Sequence, residues 1–500
     1  MKKSGSGAQL IHPATQQVIR GAFIPSCVAK TQQPALASRD KTGIALASAA
    51  RFGKMQPASA FGSSRVSVAD HVESLKPQSS NQKEIHMQKK IIALAVAGLV
   101  SGAAFAQSNV TIYGVADVTF DNVKAGGASN LTVDLDGPGG DAAQTFTNLN
   151  QPGRNRVSAN SSYLGFKGVE DLGGGLKAVF QFEGGVANDS AGAFNFNRDS
   201  FVALAGGFGT VAAGILSGPT RSLGAAMDPF SGATGISANS ALLGKLGGAT
   251  LVGANTYYTN PVTAGNDNTV ANYQALEGAI GYCSSSGTCT SLFDTRWNNA
   301  IAYISPNISG LTITAAYVAN ENKTRDDVAN KLNTRGYDVG AKYENGPILA
   351  GLTYNEAKLG DNFGTKASDT RAAVRYDFGM GTVGLLWDRV KVSDNGNGLI
   401  QGTAKRNAWF LPVTFKVGGN GKIIAQYGHA GNINDTSDTG ANMYAIGYEH
   451  SLSKRTILKA VWSEIRNKEN AYYDFGINSV GGILPGADPK GFQVGVRHSF

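Results

Sequence analysis

From Val110 to the end of the chain, apolar and polar residues alternate with a period of two. In VTIYGVADVTF, Val110, Ile112, Gly114, Ala116, Val118 and Phe120 fall on one face, and Thr111, Tyr113, Val115, Asp117 and Thr119 on the other. Successive side chains of a strand point to opposite faces, so this stretch predicts a strand apolar on one side and polar on the other. The same grammar recurs and predicts sixteen strands, at 110–121, 156–170, 176–187, 198–206, 210–217, 296–305, 311–319, 334–344, 348–358, 368–378, 382–392, 406–417, 422–430, 441–451, 456–467 and 490–500.

The connections alternate in length. Seven are short and rich in turn residues: 171–175, 206–209, 305–310, 344–347, 378–381, 418–421 and 451–455, where Gly and Asn supply the backbone freedom that tight hairpins need. The others are longer and polar, 122–155, 218–295 and 468–489 among them. Short turns at one end and long loops at the other predict an all-β fold, a sixteen-stranded antiparallel transmembrane β-barrel. In lipid every backbone N–H and C=O must be paired, and a closed barrel pairs them without leaving an edge. An even strand number puts both chain ends on one side, the periplasmic one.

Upstream lies MQKKIIALAVAGLVSGAAFAQSNV, beginning at Met87. Lys89 and Lys90, the apolar run Ile91–Val100 and Ala104-Phe105-Ala106 have the layout of a secretory signal peptide over 87–106, with Gln107 as the mature N-terminus. The run is too short for a membrane-spanning helix, which needs about 20 residues. Residues 1–86 are polar and aperiodic, and they bury the signal inside the chain. They are expected to be disordered or to precede the true start at Met87; N-terminal sequencing of the exported chain decides between these. Three segments result: 1–86 extension, 87–106 signal peptide, 107–500 barrel.

Charge agrees with this division. Of the 44 Lys and Arg and 36 Asp and Glu, 13 and 4 precede residue 107, which leaves 31 basic against 32 acidic residues downstream. The net charge of +8 therefore belongs to the leader, and no basic, aromatic-interleaved patch downstream suggests nucleic acid. Glycine is abundant, 65 of 500 residues, without the Gly-X-Y period of collagen. Cys283 and Cys289 flank SSSGT in a loop; in an exported chain they form a small disulfide-closed loop or stand as two free thiols. No His neighbours them, so neither a metal site nor any cofactor is expected.

VTIYGVADV, SSYLGFKGVEDLGGGLKAVFQFE, NRDSFVALAGGFGTV, YISPNISGL and the terminal VGVRHSF, in that order, resemble the general-diffusion porins of Gram-negative outer membranes, the betaproteobacterial type in particular. The resemblance implies a homotrimer of barrels, each with its third external loop folded into the lumen as a constriction, basic wall residues facing acidic loop residues. Position by position, it makes Arg198 in NRDSF and Arg296 in TRWNNAIAY wall arginines, with Trp297 and Tyr303 outward as interface aromatics. Lys167 becomes an inward basic residue and Asp228 in MDPFSG the carboxylate of the loop tip. Tyr163 and Ile215 stand where relatives often carry Arg, and Arg221 is placed to compensate, so a less basic constriction is expected. Arg154 and Arg156 are expected at the rim. The stretch 218–295 exceeds the usual third loop.

The implied function is passive diffusion of small hydrophilic solutes and ions through a water-filled channel, across a multi-pass protein of the outer membrane. Its partners would be those solutes, membrane lipid and lipopolysaccharide, and the assembly machinery that reads the terminal Phe500. Two other functions compete: a surface adhesion or structural protein using the long loops, and a solute-specific channel. An enzyme would need a Ser/His/acid set, and the mature chain holds only His429, His450 and His498, with no nucleophile motif beside them.

Overall fold

The computed structural model describes residues 19–20, 110–129, 131–134, 143–146, 150–192, 194–247, 291, 293–321, 323, 333, 335–358, 366–393, 403–434 and 436–500. The signal peptide, nearly all of the extension, the Cys283–Cys289 segment and most of the long stretch 218–295 lie outside them.

Sixteen antiparallel strands close into a barrel: β1 Thr111–Gly126, β2 in two pieces (Gln151–Ala159 and Tyr163–Gly173), β3 Leu176–Gly185, β4 Ser200–Gly206, β5 Gly209–Leu216, β6 Trp297–Ile304, β7 Leu311–Val318, β8 Arg335–Asn345, β9 Ile348–Lys358, β10 Lys366–Asp377, β11 Gly381–Ser393, β12 Thr403–Val417, β13 Gly421–Ala430, β14 Ala441–Ser451, β15 Thr456–Asn467 and β16 Asp488–Ser499. Each pairs with its sequence neighbours. β16 closes the ring on β1, from Val115 opposite Ser499 to Gly126 opposite Asp488. Beyond β16, Phe500 exchanges both backbone hydrogen bonds with Gly114. Gly114 is required there: a Cβ would stand 2.6 Å from the Phe500 ring and 2.6 Å from the Tyr163 carbonyl. Between β1 and β2, Leu131–Asp134 pairs with Ala143–Phe146, and Ile19–Arg20 lies parallel to the former.

All seven short turns fall where the sequence predicts them, and all the long loops lie at the opposite end. The second predicted strand is broken at Asn160–Ser162, where Ser161 has a positive φ; the first piece pairs with the far half of β1 and the second with its start.

The period-two pattern becomes an inside and an outside. Val110, Ile112 and Phe120 are exposed on the outer face of β1, while Val115, Asp117, Thr119 and Asp121 are buried on the inner one. On β8, Tyr337, Val339 and Tyr343 face out and Asp338 faces in. An exposed aliphatic belt flanked by Tyr, Trp and Phe is what lipid contact requires. Among the described residues no helix is long and apolar enough to cross a membrane.

Candidate functional site

After β5 the chain turns into the lumen. Helix α1, Pro219–Met227, lies against β8 to β11, and the segment that follows reaches β12 to β16. Glycines on the inner wall receive the apolar side chains of this segment. A Cβ on Gly340 would stand 2.7 Å from Pro219, one on Gly351 2.5 Å from Leu223, one on Gly384 2.8 Å from Met227, and one on Gly447 2.8 Å from Phe230. Pro219, Leu223 and Met227 are four residues apart, one helical face laid on a glycine track. Leu223, Met227 and Phe230 are almost fully buried.

Charged side chains of the inner wall complete the attachment. Asp338 caps the start of α1, accepting from the Thr220 hydroxyl at 2.6 Å and from its backbone N–H. Amides at a helix start lack intrahelical partners and carry partial positive charge, so a carboxylate satisfies both. Arg371 donates to both Asp294 oxygens (2.8 and 2.9 Å), to Asp369 (2.8 Å), to Asp388 (3.0 Å) and to the Thr220 carbonyl (3.2 Å). Arg375 donates to the Ala226 carbonyl, and Arg406 to the carbonyls of Leu242 and Lys245. Glu449 accepts from the Ser231 hydroxyl and N–H. The in-folded segment is thus held along its length by buried, charge-assisted hydrogen bonds.

On the β2–β6 side the structure brings together three arginines singled out by the sequence. Arg198 pairs with Glu183 at 3.2 Å and lies 4.3 Å over the Tyr163 ring. Arg296 pairs with Asp199 at 2.7 Å. Arg221, on α1, donates to the backbone carbonyl of Asp294. Burial lowers Arg221 to about 10, and the charges of Arg296 and Arg198 act the same way. Arg198 is likewise lowered by burial and by Arg296. Each therefore stays cationic at neutral pH. Burial acts to raise Asp199, but Arg296 and Ser217 outweigh it and hold the carboxyl below its usual range. With Asp294 engaged by Arg371, three guanidinium groups face two carboxylates, a surplus of one positive charge.

Two other predicted residues sit differently. Lys167 is exposed on the inner row, its ammonium 4.8 Å from the Tyr113 ring; Tyr113 in turn donates to Glu183 at 2.8 Å. Lys167 thus borders the arginine group. Asp228 turns its carboxylate into the loop itself, accepting from the N–H groups of Phe230 (3.0 Å) and Asn239 (2.8 Å). Burial pushes it up to about 7, and its charged neighbours are Glu449 and Lys422, so it stands apart from the arginines as a turn cap. Cys283 and Cys289 lie outside the described residues.

Trp297 is a correction. It is 8% exposed and packs with Leu216, Leu246 and Phe293 instead of facing out. The register slips between Trp297 and Ala300, with Asn299 at positive φ, and this bulge turns Trp297 onto the inner face. Tyr303, beyond the bulge, does face outward. Arg154 and Arg156 bind the carbonyls of Val480, Ser479 and Asn478 and so anchor the last long loop to β2. His429, His450 and His498 all stand on outward rows, bonded to Asn442, Tyr448 and Thr456.

Sequence reasoning missed Asp338, Arg371, Arg406 and the inward glycines. Each meets its loop partner across 77 residues or more, and period two marks them only as inward.

An antiparallel barrel greasy outside and polar inside, with a loop segment seated in its lumen, is a transmembrane channel. The family description Gram-negative porin matches residues 93–470. The chain belongs to that family; it is an outer-membrane channel for passive diffusion of small hydrophilic solutes and ions. It is 32% identical over 425 residues to outer membrane porin protein 32 of Delftia acidovorans, covering 83% of this chain and 100% of that one. To major outer membrane protein P.IA of Neisseria meningitidis serogroup C it is 26% identical over 416 residues, 79% of this chain and 99% of that one. Among solved structures, the anion-selective porin from Comamonas acidovorans aligns with a TM-score of 0.58 at 27% identity, covering 79% of this chain and 100% of that one.

Proposed function

We propose that the channel prefers anions, modestly, and that Arg198, Arg296 and Arg221 set this preference at the narrowing between the in-folded segment and the β2–β6 wall. The observation that carries it is the convergence of three guanidinium groups on two carboxylates. A surplus of one charge lowers the energy of an entering anion and raises that of a cation. The related Comamonas channel is named for the same preference. With Tyr163 and Ile215 in place of further arginines, the bias here is smaller than a fully basic wall would give.

The homotrimer belongs to the same proposal. Phe166, Phe182, Phe194 and Phe196 form an edge-packed cluster on the outer face of β2 and β3 and the loop after them, an apolar surface on which copies can meet.

One planar-bilayer experiment reads both. A unit charge about 6 Å from a passing ion in a water-like dielectric is worth about 0.7 kcal/mol, with opposite sign for anion and cation. Arg198→Ala should therefore shift the anion-to-cation permeability ratio about tenfold toward cations at low salt, read as reversal potential in a KCl gradient. A trimer shows three equal closing steps per insertion. An unchanged reversal potential removes Arg198 from the selective region, and solitary steps argue against the trimer.

A further inference from the structure

Behind α1, the inner face of β9 and β10 carries a polar layer enclosed between two apolar ones. In register, Ala357 faces Ala367, Asn355 faces Asp369, Thr353 faces Arg371 and Gly351 faces Ala373. Ala357 and Ala367 pack in the cluster that holds Leu246 and Phe293, and Ala373 in the one that holds Leu223. Asn355, Asp369 and Arg371 are fully buried, and Thr353 is 3% exposed. The layer is thus closed to bulk water.

Three oxygens of this layer have no hydrogen-bond partner: Oγ1 of Thr353, Oδ1 of Asn355 and Oδ1 of Asp369. A buried polar atom left alone is costly, and a buried charge left alone costs more. Thr353 turns its methyl toward Gly340, where a Cβ would stand 2.8 Å from it. Asn355 lies between Asp338 on β8 and Asp369 on β10, so its amide nitrogen can serve the first while its oxygen stands beside the second. Oδ2 of Asp369 is taken by Arg371 at 2.8 and 3.1 Å, which leaves Oδ1 open.

Positive charge is short by one at the same place. Asp294, Asp369 and Asp388 surround Arg371, and Arg406 joins at Asp388. Asp338 is answered by the start of α1. Lys245 acts on both Asp294 and Asp474, and the second of these balances it. Three carboxylates against two guanidinium groups leave one negative charge without a counterpart.

We propose that this layer binds one small monovalent cation, of the class of sodium, potassium and ammonium, on Thr353 Oγ1, Asn355 Oδ1 and Asp369 Oδ1, and that the ion locks the first turn of α1 to the wall. A deficit of one charge favours a monovalent ion over a divalent one. Calcium and magnesium take about six or more oxygen ligands, several of them carboxylates. Among the described residues no group of three or more His, Cys, Asp or Glu side chains is arranged for a metal of that kind. The site lies behind α1, apart from the arginines on the β2–β6 side, so the ion is structural and not a permeating one.

The test follows urea unfolding and refolding of the purified channel in detergent, in NaCl, KCl, ammonium chloride or N-methylglucamine chloride at one ionic strength and neutral pH. An ion held only by the folded state lowers the unfolding constant about tenfold for each tenfold rise in its concentration once the site is filled. The parent should show that slope with at least one of the three small cations and none with N-methylglucamine, which is too large to enter. T353V/N355L removes two oxygens, keeps every charge, and should lose the slope. Heat-modifiable gel mobility establishes that each variant is a folded barrel. If the double variant does not fold, Thr353→Val alone takes its place and should raise the concentration that half-fills the site about tenfold. Asp369→Asn removes the unmatched charge and should abolish the dependence. Equal slopes in all four salts, or in parent and oxygen variant, overturn the proposal. A parent insensitive to all four salts overturns it too, and stability that then falls as pH rises would assign the missing positive charge to a proton.

Discussion

Replacing Arg371 with methionine isolates the force that holds the in-folded segment against the wall. Arg371 is fully buried and stands among the carboxylates of Asp294, Asp369 and Asp388, with Arg406 the second cation at Asp388. Removing it leaves three negative charges against one positive, a net of two uncompensated carboxylates in a buried site. Breaking a buried pair by removing one partner costs about 3–5 kcal/mol. If that cost falls on docking of the segment, the balance between held and released states moves about a hundred- to several-thousandfold. Single-channel recording at neutral pH should then show frequent partial closures in R371M where the parent conducts steadily.

The pH dependence separates this cause from general damage. In the parent, burial acts to raise Asp294, but Arg371 overrides it and holds the carboxyl below its ordinary range. A group depressed on folding stabilises above its unfolded value, near 4, and loses that contribution as pH falls through the folded value. The parent should therefore grow noisier only in strong acid. In R371M that override is gone and burial alone acts to raise Asp294, so its repulsion weakens and the closures should diminish as pH falls from neutral. Asp294→Asn, which keeps Arg371 with Asp369 and Asp388, should be intermediate at neutral pH. Quiet current in R371M at pH 7, or a pH slope of the parent's sign, refutes the assignment of the network to holding the segment.

Two further substitutions test the close approaches. Gly351→Leu places atoms where Leu223 now lies, 2.5 Å from the nearest Cβ position; overpacking of this kind costs about 1–3 kcal/mol. It should push α1 into the lumen and lower single-channel conductance, with Leu223→Ala in the same chain restoring it; unchanged conductance would mean that the wall yields instead of the helix. Gly114→Val collides with the Phe500 ring and with a backbone carbonyl at the seam between first and last strands. Its urea midpoint of unfolding should fall, and a midpoint equal to the parent's would remove the seam from the stability of the barrel.

What could be read from the chain and what could not divide along one physical line. Strand existence, turn position and barrel closure are written in local periodicity, because each strand faces lipid on one side whatever its neighbours are. The misplaced features are those where the backbone departs from that period: the break at Asn160–Ser162, and the bulge that turns Trp297 inward. One inserted residue reverses every face beyond it, and nothing in NSSYLG or TRWNNAIAY announces the irregularity. The arginines at 198 and 296 were legible through resemblance, and Tyr163 was recognised as a replacement for arginine, although its role as the surface beneath Arg198 was not. The anchors of the in-folded segment could not be read at all, since Gly351 is an inward residue of β9 until Leu223 is known to rest on it. The in-folded segment is thus specified largely by the wall: glycines supply depth where the helix must approach, and Asp338, Arg371 and Arg406 supply charge where its backbone must be satisfied. A substitution on the wall can therefore alter the pore without touching a residue that faces the solute, and this is why Gly351→Leu and R371M are expected to change the current through the position of α1.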